Sequence, residues 1–153
     1  MDVKYINPFI QSTMETFQKM MNTEVSPGKP ILKSASTMKF DVSGIIGLSG
    51  EAQGSIAICF PKVVALKTVS AMLGMSVKVV GEEVRDGVGE IANIIAGYAK
   101  QYLHEYSVTI SLPKIIMGNG HVVTNIKGVP AFIVPFESAL GVFAMEVALV
   151  PGK

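Results

Sequence analysis

A chain of 153 residues, 49% hydrophobic and only 16% charged, has the length and composition of one folded domain, expected to run over 1–153, and not of a disordered segment. Its formal net charge of +1, without a basic cluster interleaved with aromatics, lacks the electrostatic footprint of a nucleic-acid binder. The mean hydropathy is positive, yet no apolar run approaches the roughly 20 residues of a membrane-spanning helix. The opening Met1-Asp2-Val3-Lys4-Tyr5 also lacks the basic-then-apolar order of a signal peptide, so a cytoplasmic protein without a membrane partner is expected.

From about Val3 to Asn22 the apolar positions Ile6, Phe9, Ile10, Thr13, Phe17, Met20 and Met21 recur at helical spacing, and Asn7-Pro8 is placed like an N-cap followed by a first-turn proline. The methionines are expected to fill core gaps. Ser26-Pro27-Gly28-Lys29-Pro30 breaks the helix. Three strand-like segments follow, roughly Ile31 to Phe40, Gly44 to Ser49 and Gly54 to Phe60, and predict an antiparallel meander. The only cysteine, Cys59, lies in the last of them and reads as a buried, inert thiol. Pro61 then opens a short helix that Gly74 stops. A second, longer helix is predicted from about Glu82 to Tyr106. Beyond it, Val108 to Leu112 and Ile115 to Met117 read as strand interrupted by Pro113, which must lie at an edge or bend. Gly118-Asn119-Gly120 reads as a hairpin-type turn. Val129 to Phe136 and Gly141 to Val150 read as a final hairpin. This order of elements describes an α+β domain with an antiparallel-rich sheet.

The long helix carries the informative pattern. At about 100° per residue, Asp86, Glu90, Asn93, Gly97, Lys100, Gln101 and His104 form one stripe, while Val84, Val88, Ile91, Ile95, Ala99 and Tyr102 line the opposite side. The helix is therefore expected to pack by one face and to show an acid and an amide on the other. Gly87, Gly89 and Gly97 border that pair, although a glycine inside a helix costs about 1 kcal/mol relative to alanine. Small residues there allow another backbone to come close.

Other signals are weaker. Gly44, Gly47, Gly50 and Gly54 are not followed by the Gly-Lys-Ser/Thr of a phosphate loop and suit bends in a hairpin. His104 and His121 are far apart, with no cysteine at metal-ligand spacing, so no metal site is expected. Glu82 and Glu83 complement the dipole of a first helical turn. By residue chemistry alone Glu90 and Asn93 read first as a solvated face.

Read together, Asp86-x-x-x-Glu90-x-x-Asn93 and the following Pro113 resemble the signature of the bacterial CheC/CheX/FliY family of chemotaxis phosphatases. The likeness extends through Gly47-Leu48-Ser49-Gly50-Glu51-Ala52-Gln53-Gly54-Ser55, Ser70-Ala71-Met72-Leu73-Gly74, Gly89 to Gly97 and the opening helix, and so over nearly the whole chain. CheC-like members carry two Glu-x-x-Asn helices. Here the first helix has Gln11 to Gln18 without that pair, which places the chain nearest the CheX members.

The resemblance implies a CheC-like fold whose long surface helix carries the Glu-x-x-Asn pair. It implies hydrolysis of the aspartyl-phosphate of CheY, the diffusible response regulator. Asn93 would orient the attacking water and Glu90 would pair with the lysine beside the regulator's phosphorylation site. The chain would bring no cofactor of its own, and Mg2+ would be supplied by the regulator. A homodimer formed by joining sheet edges is also implied, and the apolar runs Ala131 to Val134 and Phe143 to Ala148 are compatible with a covered edge. The alternative is a module that binds a receiver domain or a flagellar-switch component without turnover.

Overall fold

The computed structural model describes residues 3–33, 38–103, 106–125 and 128–152. The chain runs α1 (Val3–Met21), β1 (Val25–Pro27), β2 (Ile31–Leu32), β3 (Phe40–Gly50), β4 (Ala52–Phe60), α2 (Lys62–Leu73), α3 (Glu82–Tyr102), β5 (Val108–Ile110), β6 (Lys114–His121), β7 (Phe132–Ser138) and β8 (Phe143–Pro151). The strands form one antiparallel sheet in the order β1-β7-β8-β4-β3-β5, with β2 also on β7 and β6 also on β3. The α+β class and antiparallel sheet expected from the sequence are observed. No helix among the described residues is long and apolar enough to cross a membrane.

The helices cover one face of the sheet. Ile6, Phe9, Phe17 and Met21 of α1 are buried there with Val42 and Ile46 of β3 and Val134 and Phe136 of β7. Phe143 is the hub: its ring centroid lies 4.7 Å from that of Phe17, 5.2 Å from Phe136 and 5.3 Å from Phe60. Aromatic pairs of this kind contribute about 0.5–1.5 kcal/mol each beyond the area they bury. The helix therefore docks on the last hairpin through Phe17, across more than a hundred residues of chain.

The opposite face holds a smaller core of Phe40, Ala57, Cys59, Val123, Ile133 and Ala144. Cys59 is buried, and burial pushes its thiol up to about 12, against the lowering effect of its hydrogen bond with Ser43. Buried charges also lie on this face. The Lys33 ammonium is 2.8 Å from Glu146 Oε1 and donates to Asn125 Oδ1 at 2.7 Å and to the Val123 carbonyl. A carboxylate in the middle of a buried strand is tolerated because a cation and its further acceptors come with it.

Several sequence expectations change. Ile31 to Phe40 is not one strand: Ile31–Leu32 pairs with β7, Phe40 begins β3, and 34–37 lie outside the described residues. The meander reduces to the β3–β4 hairpin, because β2 joins the far edge. Ser26-Pro27, read as a break, belongs to β1, where a proline is acceptable because the strand is an edge. Pro8 lies inside α1, five residues past its start, where its missing N–H forfeits one of the first intrahelical bonds. Gly118-Asn119-Gly120 does not turn the chain. It lies within β6, where the register with β3 shifts between Phe40 and Val42 and Gly120 has φ 72°, a bulge that glycine permits. Ala131 to Val134 and Phe143 to Ala148 do not mark a free edge, since β8 lies between β7 and β4, and β7 is covered by β1 and β2. Their apolar character is explained by the core.

Candidate functional site

Helix α3 begins after Gly81 with Glu82 and Glu83 in its first turn and ends at Tyr102, with Leu103 as its C-cap, earlier than the expected Tyr106. Val84, Val88, Ile91, Ile95 and Ala99 are buried, as their spacing predicted. Tyr102 is not on that side. Its hydroxyl instead donates to the Glu15 carboxylate, which raises the phenol pKa above its ordinary value, while Leu103 takes the buried position.

Three contacts hold α3. Beneath it, a Cβ at Gly44 of β3 would stand 3.2 Å from both Val88 Cγ1 and Ala92 Cβ, so a glycine lets the helix lie directly on the strand. Beside it, a Cβ at Gly87 would come within 2.9 Å of both Val69 methyl carbons of α2. From α1, the buried Ser12 hydroxyl donates to the Ile95 carbonyl. The approach at Gly87 is made by a side chain of this same chain, not by a foreign backbone. Nothing among the described residues lies within 4 Å of a Cβ built at Gly97.

The other side of α3 is exposed at Arg85, Asp86, Glu90, Asn93, Lys100 and Gln101. His104, expected to extend this stripe, lies outside the described residues. Glu90 and Asn93, three apart, share this face with Cβ atoms about 5–6 Å apart. They stand on a groove of about 440 Å³ lined by Arg85, Asp86, Gly89, Glu90, Asn93, Pro113 and Ile115. Its far wall is tied down at Ser111, whose backbone N–H donates to the Gly47 carbonyl at 2.9 Å and whose hydroxyl accepts from the Gly47 N–H at 2.8 Å. Those bonds hold the connection bearing Pro113 against the sheet edge. A Cβ at Gly89 would find Ile115 Cδ1 at 3.5 Å and Pro113 Cγ at 3.6 Å, ordinary contact distances, so this glycine keeps the floor of the groove open.

Across the ridge made by Asp86 and Glu90 lies a second depression of about 240 Å³, lined by Met72, Leu73, Glu83, Asp86, Gly87 and Glu90. The structure thus brings Asp86, Glu90, Asn93 and Pro113 together and leaves Lys100 and Gln101 outside the groove. Sequence reasoning missed Arg85 and Ile115. Arg85 is one position off the Asp86 stripe, and Ile115 enters only through the course of β6. His121 is occupied elsewhere: its Nε2 is 2.7 Å from Ser43 Oγ and its Nδ1 2.8 Å from the Gly118 carbonyl.

An exposed acid and amide on a firmly packed helix, above an open groove, can orient small molecules such as water against a partner. Residues 42–137 match the family model described as chemotaxis phosphatase CheX. A curated relative, CheY-P phosphatase CheX of Thermotoga maritima, is 31% identical over 121 residues, 77% of this chain and 78% of the relative. The crystal structure of a CheC-like superfamily protein from Shewanella sp. PV-4 superposes with a TM-score of 0.91 at 35% identity, covering 98% of this chain and 99% of that one. The CheX chain of a CheX–CheY–BeF3–Mg2+ complex from Borrelia burgdorferi matches with a TM-score of 0.80 at 31% identity, covering 97% and 99%. With matches of this extent in sequence and in fold, the chain belongs to the CheX family of chemotaxis phosphatases.

Proposed function

We propose that the protein hydrolyses the aspartyl-phosphate of a CheY-type receiver domain. The observation that carries the reading is the exposure of Glu90 and Asn93 together, over a groove, on a helix whose other side is fully packed. Its support is membership of the family, a relative named for this activity and a relative complexed with CheY.

In the reaction, a water oxygen bonds to phosphorus as the bond from phosphorus to the aspartyl oxygen breaks. The aspartate leaves as a carboxylate, and the water's proton ends on the inorganic phosphate. A carboxylate is a weak base, so its departure needs no proton donor. What remains is to place the water in line. Asn93 suits that task, since its amide accepts one water hydrogen bond and donates another without titrating. Glu90 anchors the helix by a charge-assisted contact with the receiver's active-site lysine. The magnesium ion belongs to the receiver and stabilises charge on the transferred group.

An amide that orients water acts mainly in the transition state, so Asn93→Ala should depress single-turnover dephosphorylation while leaving affinity for the phosphorylated receiver nearly intact. A hundredfold loss corresponds to about 2.7 kcal/mol of barrier. Undiminished turnover in Asn93→Ala would remove it from the mechanism, and a wild-type protein that binds the phosphorylated receiver without hastening phosphate loss would make this a docking module. We also propose a homodimer, on family likeness alone. A strictly monomeric mass by light scattering at low micromolar concentration would refute it.

A further inference from the structure

Among the described residues lining the groove, Arg85 is the one cation, set beside the carboxylates of Asp86 and Glu90. It is exposed. Glu82, one turn back on the same helix, forms no ion pair with it among the described residues. An arginine at the mouth of a groove with no ion-pair partner among the described residues is available to a partner molecule.

Position separates Arg85 from the chemistry. It precedes Asn93 by eight residues, two turns or about 12 Å along the axis, and helical side chains lean toward the N-terminus. The guanidinium therefore stands at the opposite end of the groove from the amide. It is too distant to share the oxygens of a phosphoryl group held at Asn93, yet it falls well inside the roughly 800 Å² that each partner buries in a standard interface. Charge gives the same indication. A partner whose reacting centre is anionic meets Asp86 and Glu90 in this groove and Glu83 across the ridge. Arg85 is the one positive charge in that lining, so the groove favours a partner with positive charge near Glu90 and negative charge about one and a half helical turns away.

We propose, resting on the function proposed above, that Arg85 pairs with a carboxylate on the rim of the receiver's phosphorylation site. It thereby selects among phosphorylated receivers by docking, not by chemistry. A rim charge acts on association and its salt dependence, with little effect on the chemical step.

The test is steady-state dephosphorylation of one phosphorylated receiver domain, with Mg2+, at low and high salt, by the wild type, Arg85→Ala, Arg85→Glu, Arg85→Lys and Asn93→Ala. Thermal unfolding of each variant controls for folding. Arg85→Ala should raise KM roughly 3- to 10-fold at low salt while kcat stays within about twofold. Arg85→Glu should do more, Arg85→Lys should recover most of the loss, and the salt dependence of kcat/KM should flatten in Arg85→Ala. A tenfold fall in kcat at constant KM would overturn the proposal by putting the guanidinium at the phosphoryl group. A rise in KM that neither lysine nor salt alters would overturn it as a structural effect. If Arg85→Ala and Arg85→Glu match the wild type while Asn93→Ala loses turnover, docking by Arg85 is refuted and the phosphatase reading stands. A wild type that leaves the acyl phosphate untouched refutes both.

Discussion

Replacing Lys33 with Met should destabilise the fold far more than its position next to a two-residue edge strand suggests. The side chain of Glu146 is 0% exposed and its Oε1 is held by the Lys33 ammonium at 2.8 Å, while Oε2 has no hydrogen-bond partner among the described residues. Taking the cation away strands a carboxylate in the sheet, and breaking a buried pair from one side typically costs about 3–5 kcal/mol. For a chain of this size each kcal/mol moves the thermal midpoint by about 2–4 °C, so Lys33→Met should fall by roughly 6–20 °C. The double variant Lys33→Met/Glu146→Leu should regain most of that, because an apolar pair of similar volume often equals or exceeds a buried ion pair. Thermal and urea unfolding of the single and double variants measure both numbers. Since the ion pair lies on the sheet face opposite the helices, Lys33→Met should keep wild-type turnover well below its transition. A shift of less than about 2 °C for Lys33→Met, or a double variant no better than the single, would refute the account of a stranded charge.

Glu90→Lys should retain the wild-type thermal midpoint within a few degrees, because exposed substitutions usually stay within about 0.5 kcal/mol. It should lose at least about thirtyfold in kcat/KM, the equivalent of about 2 kcal/mol for a truncated interfacial charge pair; early unfolding would make Glu90 structural, and full activity would turn this face away from the partner. The Cys59 thiol is held up to about 12 in the folded state from an ordinary value of 9.0, so above that ordinary value the unfolded chain binds fewer protons than the native one. Stability attributable to Cys59 is then complete below pH 9 and declines as pH rises toward 12, by about 1.4 kcal/mol per unit. Urea unfolding of the wild type and Cys59→Ala between these limits should show a steeper decline in the wild type, and parallel curves would refute it.

What could be read in advance is what repeats locally. The buried side of α3 follows from the 3.6-residue period of Val84, Val88, Ile91, Ile95 and Ala99, and the helix stop after Leu73 follows from Gly74, which has φ 66°. What could not be read depends on remote partners. Val25–Pro27 and Ile31–Leu32 become strands only because β7, over a hundred residues later, offers an edge. Gly118-Asn119-Gly120 carries the same local signal for a turn and for a bulge, and only the opposing Phe40–Val42 decides between them. Glu146 sits amid an apolar run, and no local pattern announces that Lys33 will meet it. At the site, the stripe through Asp86, Glu90 and Asn93 was legible from the helix alone, whereas Arg85 became a groove residue only once Pro113 and Ile115 closed the other wall.

The glycines of α3 carry the argument one step further. Each lowers helix propensity by about 1 kcal/mol relative to alanine, and close packing returns that cost at only one of them. Gly87 is required by Val69. Gly89 has room for a methyl group at ordinary contact distance and Gly97 has open space around it, so the fold itself has no use for either omission. Both flank Glu90 and Asn93, Gly89 at the floor of the groove beneath Pro113 and Ile115 and Gly97 with nothing among the described residues within 4 Å of an added Cβ. Under the proposed function these bare positions let the receiver's surface approach the helix backbone, with the acid and the amide projecting past it to the phosphoryl site. On that reading the same helix is shaped on its buried side by α2 and the sheet, and on its exposed side by the surface of the proposed receiver.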